Sequence, residues 1–264
     1  MTFSAPGDDA SVLAENIRKV VEFRNSNTAR SRQKAIGISE VGEPCPRKLA
    51  YKILDWKQTN PSTDPWAAIQ GTAIHEWLAS AFARFNEKDN PRFLIEFKVK
   101  VNDDLSGTCD LFDTVDGVVI DHKCVGATSM KSRKKDGATS QQRIQINLYG
   151  LGMEKAGYTV NKVALAYYPL GGRLDGLHTV LEPYNRKIAT DAIERLDGIK
   201  LLVWQLDPEH NPAHWDLIPK VPSSQCIFCP FYLPGSKDSS QGCAGQENAC
   251  LLYTSDAADE GLGV

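Results

Sequence analysis

Apolar positions along this chain recur in two rhythms, and the changes between them mark its elements. From Ser11 to Arg24 apolar and charged residues alternate at helical spacing, which predicts an N-terminal helix, and the polar, basic residues 25–34 read as a loop. Ile38-Ser39-Glu40 leads into Cys45, where Pro46 suits the first turn of a helix. Prolines 61 and 65 interrupt the chain before a long apolar-periodic run, Trp66 to Phe85, that reads as one helix. Residues 93–101 then alternate as a strand, as do 106–110 and 118–123, with the turn-forming pair Asp116-Gly117 between the last two. A basic loop at 131–135 precedes a helix over 141–155, which Gly157 ends. Residues 163–168 and 177–181 are further strands around Gly171-Gly172, 185–206 is a long helix, and the proline-rich stretch 208–222 is extended.

The strand rhythm gathers chemistry. Successive strand side chains alternate faces, so Asp121 and Lys123 point the same way, with Val119 continuing that face inward. Asp110 lies across the turn, at the right distance for an antiparallel neighbour. Two carboxylates can hold Mg²⁺ or Mn²⁺ through oxygen, and a nearby lysine can steady a hydroxide or a developing phosphorane. That is the chemistry of phosphodiester hydrolysis. Asp121 follows Val118-Val119-Ile120 directly, and a carboxylate at the rim of a buried strand is costly unless paired or metal-bound. His75 lies on the 66–85 helix, with Glu76 turned about 100° away from it. Gln145 and Tyr149, four apart, emerge on one helical face. His122 alternates away from Asp121 and reads as structural, and Glu96 is an acid supporting the ligands from a strand.

Composition changes this picture in two places. The net charge of −3 lacks the global basic footprint of a nucleic-acid protein. Basic residues instead cluster at Arg24, Arg30, Arg32 and Lys34 and at Lys131, Arg133, Lys134 and Lys135, either as solvated loops or as DNA contacts. No run of 18 apolar residues and no secretory signal occur, which predicts a soluble, cytoplasmic protein with no membrane partner. Seven cysteines in that setting argue for thiols or a metal site rather than disulfides. Cys226-Ile-Phe-Cys229 places two ligands on one turn, and Cys45 and Cys243 complete four thiolates, which suit tetrahedral Zn²⁺ or a 4Fe–4S cluster equally. Cys109 and Cys124 read as packing residues.

The order His75, Gly-x-x-Asp (107–110), Asp-x-Lys (121–123) and Gln-x-x-x-Tyr (145–149) resembles the RecB-type nuclease domain of the PD-(D/E)xK superfamily. With the flanking cysteines it is similar to the iron–sulfur branch that includes the CRISPR-associated exonuclease and phage exonucleases. The resemblance spans residues 38–243. It implies an α/β (α+β), restriction-endonuclease-like αβββαβ core, with a helical N-terminal part and a C-terminal cysteine cluster. It further implies a metal held by His75, Asp110 and Asp121, with Lys123, Gln145 and Tyr149 completing the site. Of the two cofactors open at the cysteines, it favours 4Fe–4S over Zn²⁺. Cys229 and Cys243 are further apart than is common in that branch.

These features predict one nuclease domain over residues 1–249: a Mg²⁺- or Mn²⁺-dependent DNA exonuclease of a bacterial cell or phage-infected host, serving recombination, repair or CRISPR adaptation. No helicase motif is present, so unwinding would need a helicase or recombination partner. The rival readings are a catalytically idle DNA-binding subunit and a zinc-binding interaction protein. Residues 250–264, beginning Cys250-Leu-Leu-Tyr-Thr-Ser, look like translated sequencing adapter, and Cys250 is not counted as a ligand.

Overall fold

Five strands form one mixed sheet: β1 (Phe93–Lys100), β2 (Ser106–Asp113), β3 (Val118–Val125), β4 (Lys162–Pro169) and β5 (His178–Pro183), in that spatial order. The structure, a computed structural model, describes residues 5, 9–26, 36–62 and 64–246. β3 and β4 run parallel, and the other neighbours are antiparallel. A parallel pair needs a crossover, and two helices supply it, α5 (Ala127–Asp136) and α6 (Ser140–Lys155). The remaining helices are α1 (Ala10–Ser26), α2 (Ile38–Val41), α3 (Pro46–Ile53), α4 (Trp66–Phe85) and α7 (Arg186–Leu206). The expected αβββαβ order is present as α4, β1 to β3, α6 and β4, with β5 added antiparallel at the edge.

Burial follows position in the sheet. β4 is covered on both faces and carries the continuous apolar run Val163–Tyr167, whereas β5 at the edge alternates half-buried and exposed residues. The β2–β3 turn depends on Gly117, at φ +65°, where a Cβ would come within 2.7 Å of the Thr159 carbonyl oxygen. α6 is buried along its length from Gln145 to Met153, between the sheet and α2 and α7. A capping box from Thr139 and Gln142 fixes where it starts.

One element departs from expectation. The basic run at 131–135 is not a loop but the second half of α5. Met, Lys and Arg are good helix formers, and the last-turn cations Arg133, Lys134 and Lys135 oppose the negative end of the helix dipole. Within the proline-rich stretch, Pro212–Leu217 forms a 3₁₀ turn around the fully buried Trp215. Of the first basic run, Arg24 lies in the last turn of α1, while Arg30, Arg32 and Lys34 lie outside the described residues, as do residues 250–264. Among the described residues no helix is long and apolar enough to cross a membrane.

The C-terminal segment is tied to α3 by side chains. Arg47 donates to the carbonyls of Ile218 (2.9 Å) and Asp216 (3.2 Å) and to Ser239 Oγ (2.9 Å). The Tyr51 hydroxyl donates to the Ser239 carbonyl, and the Tyr51 ring stacks on Trp215 at 4.2 Å. Residue 243 is folded back onto 231–233 by Cys243 N–H to Phe231 O (2.7 Å) and Leu233 N–H to Cys243 O (2.8 Å).

Candidate metal centre and cysteine cluster

β3 is sandwiched at its middle. α6 covers the face carrying Asp121, and α4 covers the other, with Phe82 stacked near the His122 ring at 5.9 Å. From α4, His75 reaches β3 through Nε2, 3.0 Å from the His122 carbonyl oxygen. A carbonyl can only accept, so this contact assigns the proton to Nε2 and turns the Nδ1 lone pair toward Asp110 Oδ2, 3.6 Å away. Asp110 also accepts the His122 N–H at 2.8 Å.

Glu96 completes this group. Ligand atoms of His75, Glu96 and Asp110 lie within 4.8 Å of one another, a clustering of three that no other His, Cys, Asp or Glu side chains achieve among the described residues. The β1–β2 ladder pairs Ile95 with Leu111 and Phe97 with Cys109 but skips the pair between them, where Glu96 faces Asp110. Glu96 has φ +48°, a left-handed conformation that costs a residue with a Cβ about 1–2 kcal/mol. Burial and the Asp121 charge outweigh the His122 N–H and Lys123, and hold the Asp110 carboxyl well above the usual carboxylate range. Burial pushes Glu96 up as well. Burial, then His75 and Lys123, bring the His122 imidazole down to about 4. Two neighbouring acids that resist ionisation, with an imidazole lone pair facing one of them, are a donor set suited to a divalent cation.

Asp121 stands beside this trio rather than in it. It is 2 % exposed, its Oδ1 accepts from Gln145 Nε2 at 3.1 Å, and its Oδ2 faces Lys123 Nζ at 2.9 Å without a well-aligned hydrogen bond. Tyr149 packs over Gly107, where a Cβ would meet its ring at 3.3 Å. Burial and then the Asp121 charge raise its phenol pKa, against a hydrogen bond with Gln145. The structure therefore gathers Asp121, Lys123, Gln145 and Tyr149 on one side of the sheet site, and His75 with Asp110 on the other.

Cys45, Cys226, Cys229 and Cys243 line one cavity of about 590 Å³, which Lys123 and Gln145 also line. Each sulfur meets a backbone N–H: Cys45 that of Val221 (3.5 Å), Cys226 that of Ser223 (3.4 Å), Cys243 that of Gly245 (3.4 Å), and Cys229 that of Phe231. Burial pushes the Cys229 thiol up to about 11, with Phe231 N–H and Lys48 working against the shift and Cys45 and Cys243 adding to it. Lys48 is held above its ordinary pKa because Glu43 (2.6 Å), Cys229 and Cys45 outweigh its burial. No three of these sulfurs lie within 4.8 Å of one another. Sulfurs of a tetrahedral zinc site are only about 3.8 Å apart, given a Zn–S bond of about 2.3 Å. Cys109 is buried in the core, and Cys124 lines the cavity.

No family model matches this chain, and no curated protein does. Among solved structures, a phage-related exonuclease from Haemophilus somnus 129PT is 13 % identical, over 67 % of this chain and 96 % of that one, with a TM-score of 0.45. An alkaline exonuclease from Laribacter hongkongensis is 14 % identical, over 69 % and 96 %, with a TM-score of 0.46. Likeness at this level assigns neither a residue nor an activity.

Three participants take their places only in three dimensions. Glu96 brings a carboxylate oxygen within 4.8 Å of ligand atoms of His75 and Asp110, and the β1–β2 register is the signal that exposes it. The His122 carbonyl accepts from His75 Nε2 and so orients that ring. Lys48, one turn after Cys45, adds a positive charge beside the sulfurs.

Proposed function

We propose that this chain is a divalent-metal-dependent deoxyribonuclease, an exonuclease that hydrolyses the phosphodiester backbone of DNA. The observation that carries the reading is the trio of half-buried His75 and Asp110 with the exposed Glu96, beside the buried Asp121–Lys123 pair. His75 Nδ1 and oxygens of Glu96 and Asp110 would hold Mg²⁺ or Mn²⁺, with Asp121 available from the adjacent strand. The ion would supply charge neutralisation at a phosphate and a lower pKa for a bound water.

The remaining work falls to the chain's own groups. Lys123, 7 % exposed on its side chain, is fixed by Asp121 so that its ammonium faces the cavity, where it can orient a water or offset charge building on phosphate oxygens. Gln145 holds Asp121 in place, and Tyr149 packs that face against β2. The four cysteines would hold a 4Fe–4S cluster, a reading supported by no three of their sulfurs lying as close together as the ligands of one tetrahedral ion. Its role is to tie residue 45 to the segment after 222. The biological setting we infer is bacterial or phage DNA recombination, repair or CRISPR adaptation.

The test compares linear with covalently closed DNA, with Mg²⁺, with Mn²⁺ and with chelator. Degradation of the linear form only, abolished by chelator and in Lys123→Ala, is expected. Metal-independent binding without cleavage would favour the idle DNA-binding subunit. A colourless protein with stoichiometric zinc would replace the cluster and keep the quartet.

A further inference from the structure

Outside the metal centre and the cysteines, two buried donors lack a partner among the described residues: Trp215 Nε1 in the core and Ser129 Oγ at the cavity. Ser129 is 4 % exposed, lines the shared cavity, and its Oγ has no hydrogen-bond partner. An unmet hydroxyl in that position carries a desolvation penalty that a ligand oxygen would remove. Ser129 is also the third residue of α5, a helix whose cap residue, Gly126, has no side chain to satisfy the first turn. The first intrahelical bond runs from Met130 N–H to Gly126 O, so the amides ahead of it belong to the positive end of the dipole.

Charge around the cavity points the same way. Its lining carries Lys48, Lys123, Arg133, Arg195 and Lys220 against a single acid, Glu43, in a chain of net charge −3. Arg133 follows Ser129 by four residues and so shares its face of α5, and both line the cavity. Lys123, on the strand that leads into α5, also lines the cavity and pairs with Asp121, the acid beside the metal-site trio.

We propose that the N-terminus of α5 is a phosphate-binding pocket, in which the Ser129 hydroxyl and Arg133 seat a phosphate group of the DNA strand next to the metal centre. The proposal rests on the nuclease reading for its substrate, though not for the pocket itself. Holding one phosphate there would fix the strand's register, so that its neighbour meets Lys123.

The test uses the full chain, Ser129→Ala and Ser129→Asp. An acid in the first turn suits the helix dipole, so Asp preserves α5 while repelling phosphate, which separates folding from binding. Thermal midpoints without phosphate confirm that the variants fold. Inorganic phosphate should raise the wild-type midpoint, raise that of Ser129→Ala less, and leave Ser129→Asp unmoved. KM for DNA should rise about tenfold in Ser129→Ala, the worth of one hydrogen bond to a charged group, and further in Ser129→Asp. A wild-type preference for phosphorylated over hydroxyl ends that Ser129→Ala loses would place a terminal monoester in the pocket. An equal rise in KM for both ends would place an internal diester there. A Ser129→Asp protein with wild-type KM and phosphate response would overturn the pocket and leave the nuclease reading standing. A Ser129-dependent phosphate response in a protein that cleaves no DNA would do the reverse.

Discussion

Glu96, Asp110, Asp121 and Lys123 sit on hydrogen-bonded strands, whereas Cys45, Cys226, Cys229 and Cys243 sit on a helix cap, a 3₁₀ turn and a returning loop. In the first region the sheet sets the spacing, and it does so against the preference of Asp110 and Glu96: burial disfavours the ionised form of both, and the Asp121 charge adds to it at Asp110. In the second, spacing depends on side-chain anchors from α3 reaching 170 or more residues along the chain, Arg47 to Ile218 and Ser239 and Tyr51 to Ser239. The sheet site thus holds Asp110 and Glu96 where their charged forms are disfavoured, and the cysteine site is framed by a few long-range side-chain anchors. Ligands should therefore act differently on the two: a metal ion relieves the first, while a cluster organises the second.

The largest expected effect is on activity at the sheet. Asp110→Asn should lower kcat/KM for DNA by about a thousandfold or more, while keeping an acceptor for the His122 N–H. Because the folded state holds the Asp110 pKa above its unfolded value, the ionised form costs stability at neutral pH. The neutral amide should accordingly raise the thermal midpoint in chelator. A lowered midpoint in chelator would show that the strain is absent. Next, Cys226→Ser should lose the cofactor and speed proteolysis within residues 212–246 by about tenfold or more, while hydrogen exchange in β2–β4 stays slow. Equal loosening of sheet and lobe would erase the contrast.

Smaller effects sharpen it. Arg47→Ala should cost about 3 kcal/mol in denaturant unfolding, because buried carbonyls and Ser239 lose a charged donor. Normal exchange protection of residues 215–240 in that variant would move the lobe's anchor elsewhere. Glu96→Gly should remove a metal ligand and also relieve the left-handed backbone, gaining about 1 kcal/mol in chelator that Glu96→Gln does not gain. Identical stabilities for the two variants would mean that the backbone there is unstrained.

Much of the sheet was legible in its pattern. The turn at Asp116-Gly117 and the period-two runs around it set β2 against β3, and the 66–85 helix has the boundaries its apolar spacing predicts. Asp121, Lys123, Gln145 and Tyr149 share one side of the site because each lies on a regular element whose period fixes its face. Glu96 escaped full recognition because its ligand position arises from a skipped ladder pair and a left-handed residue, which alternation does not foresee. The basic run was misread as a loop because charge masked its helix propensity. The return of Cys243 was hidden in backbone hydrogen bonds to Phe231 and Leu233, which no residue type encodes.

The most direct test of the two-site account is a Mn²⁺ titration followed by electron paramagnetic resonance, on protein purified anaerobically. The account predicts Mn²⁺ bound to the wild type and to Cys226→Ser with similar affinity, and weakened at least about tenfold in both Asp110→Asn and Glu96→Gln. Unweakened binding in those two variants, or its loss in Cys226→Ser, would contradict it.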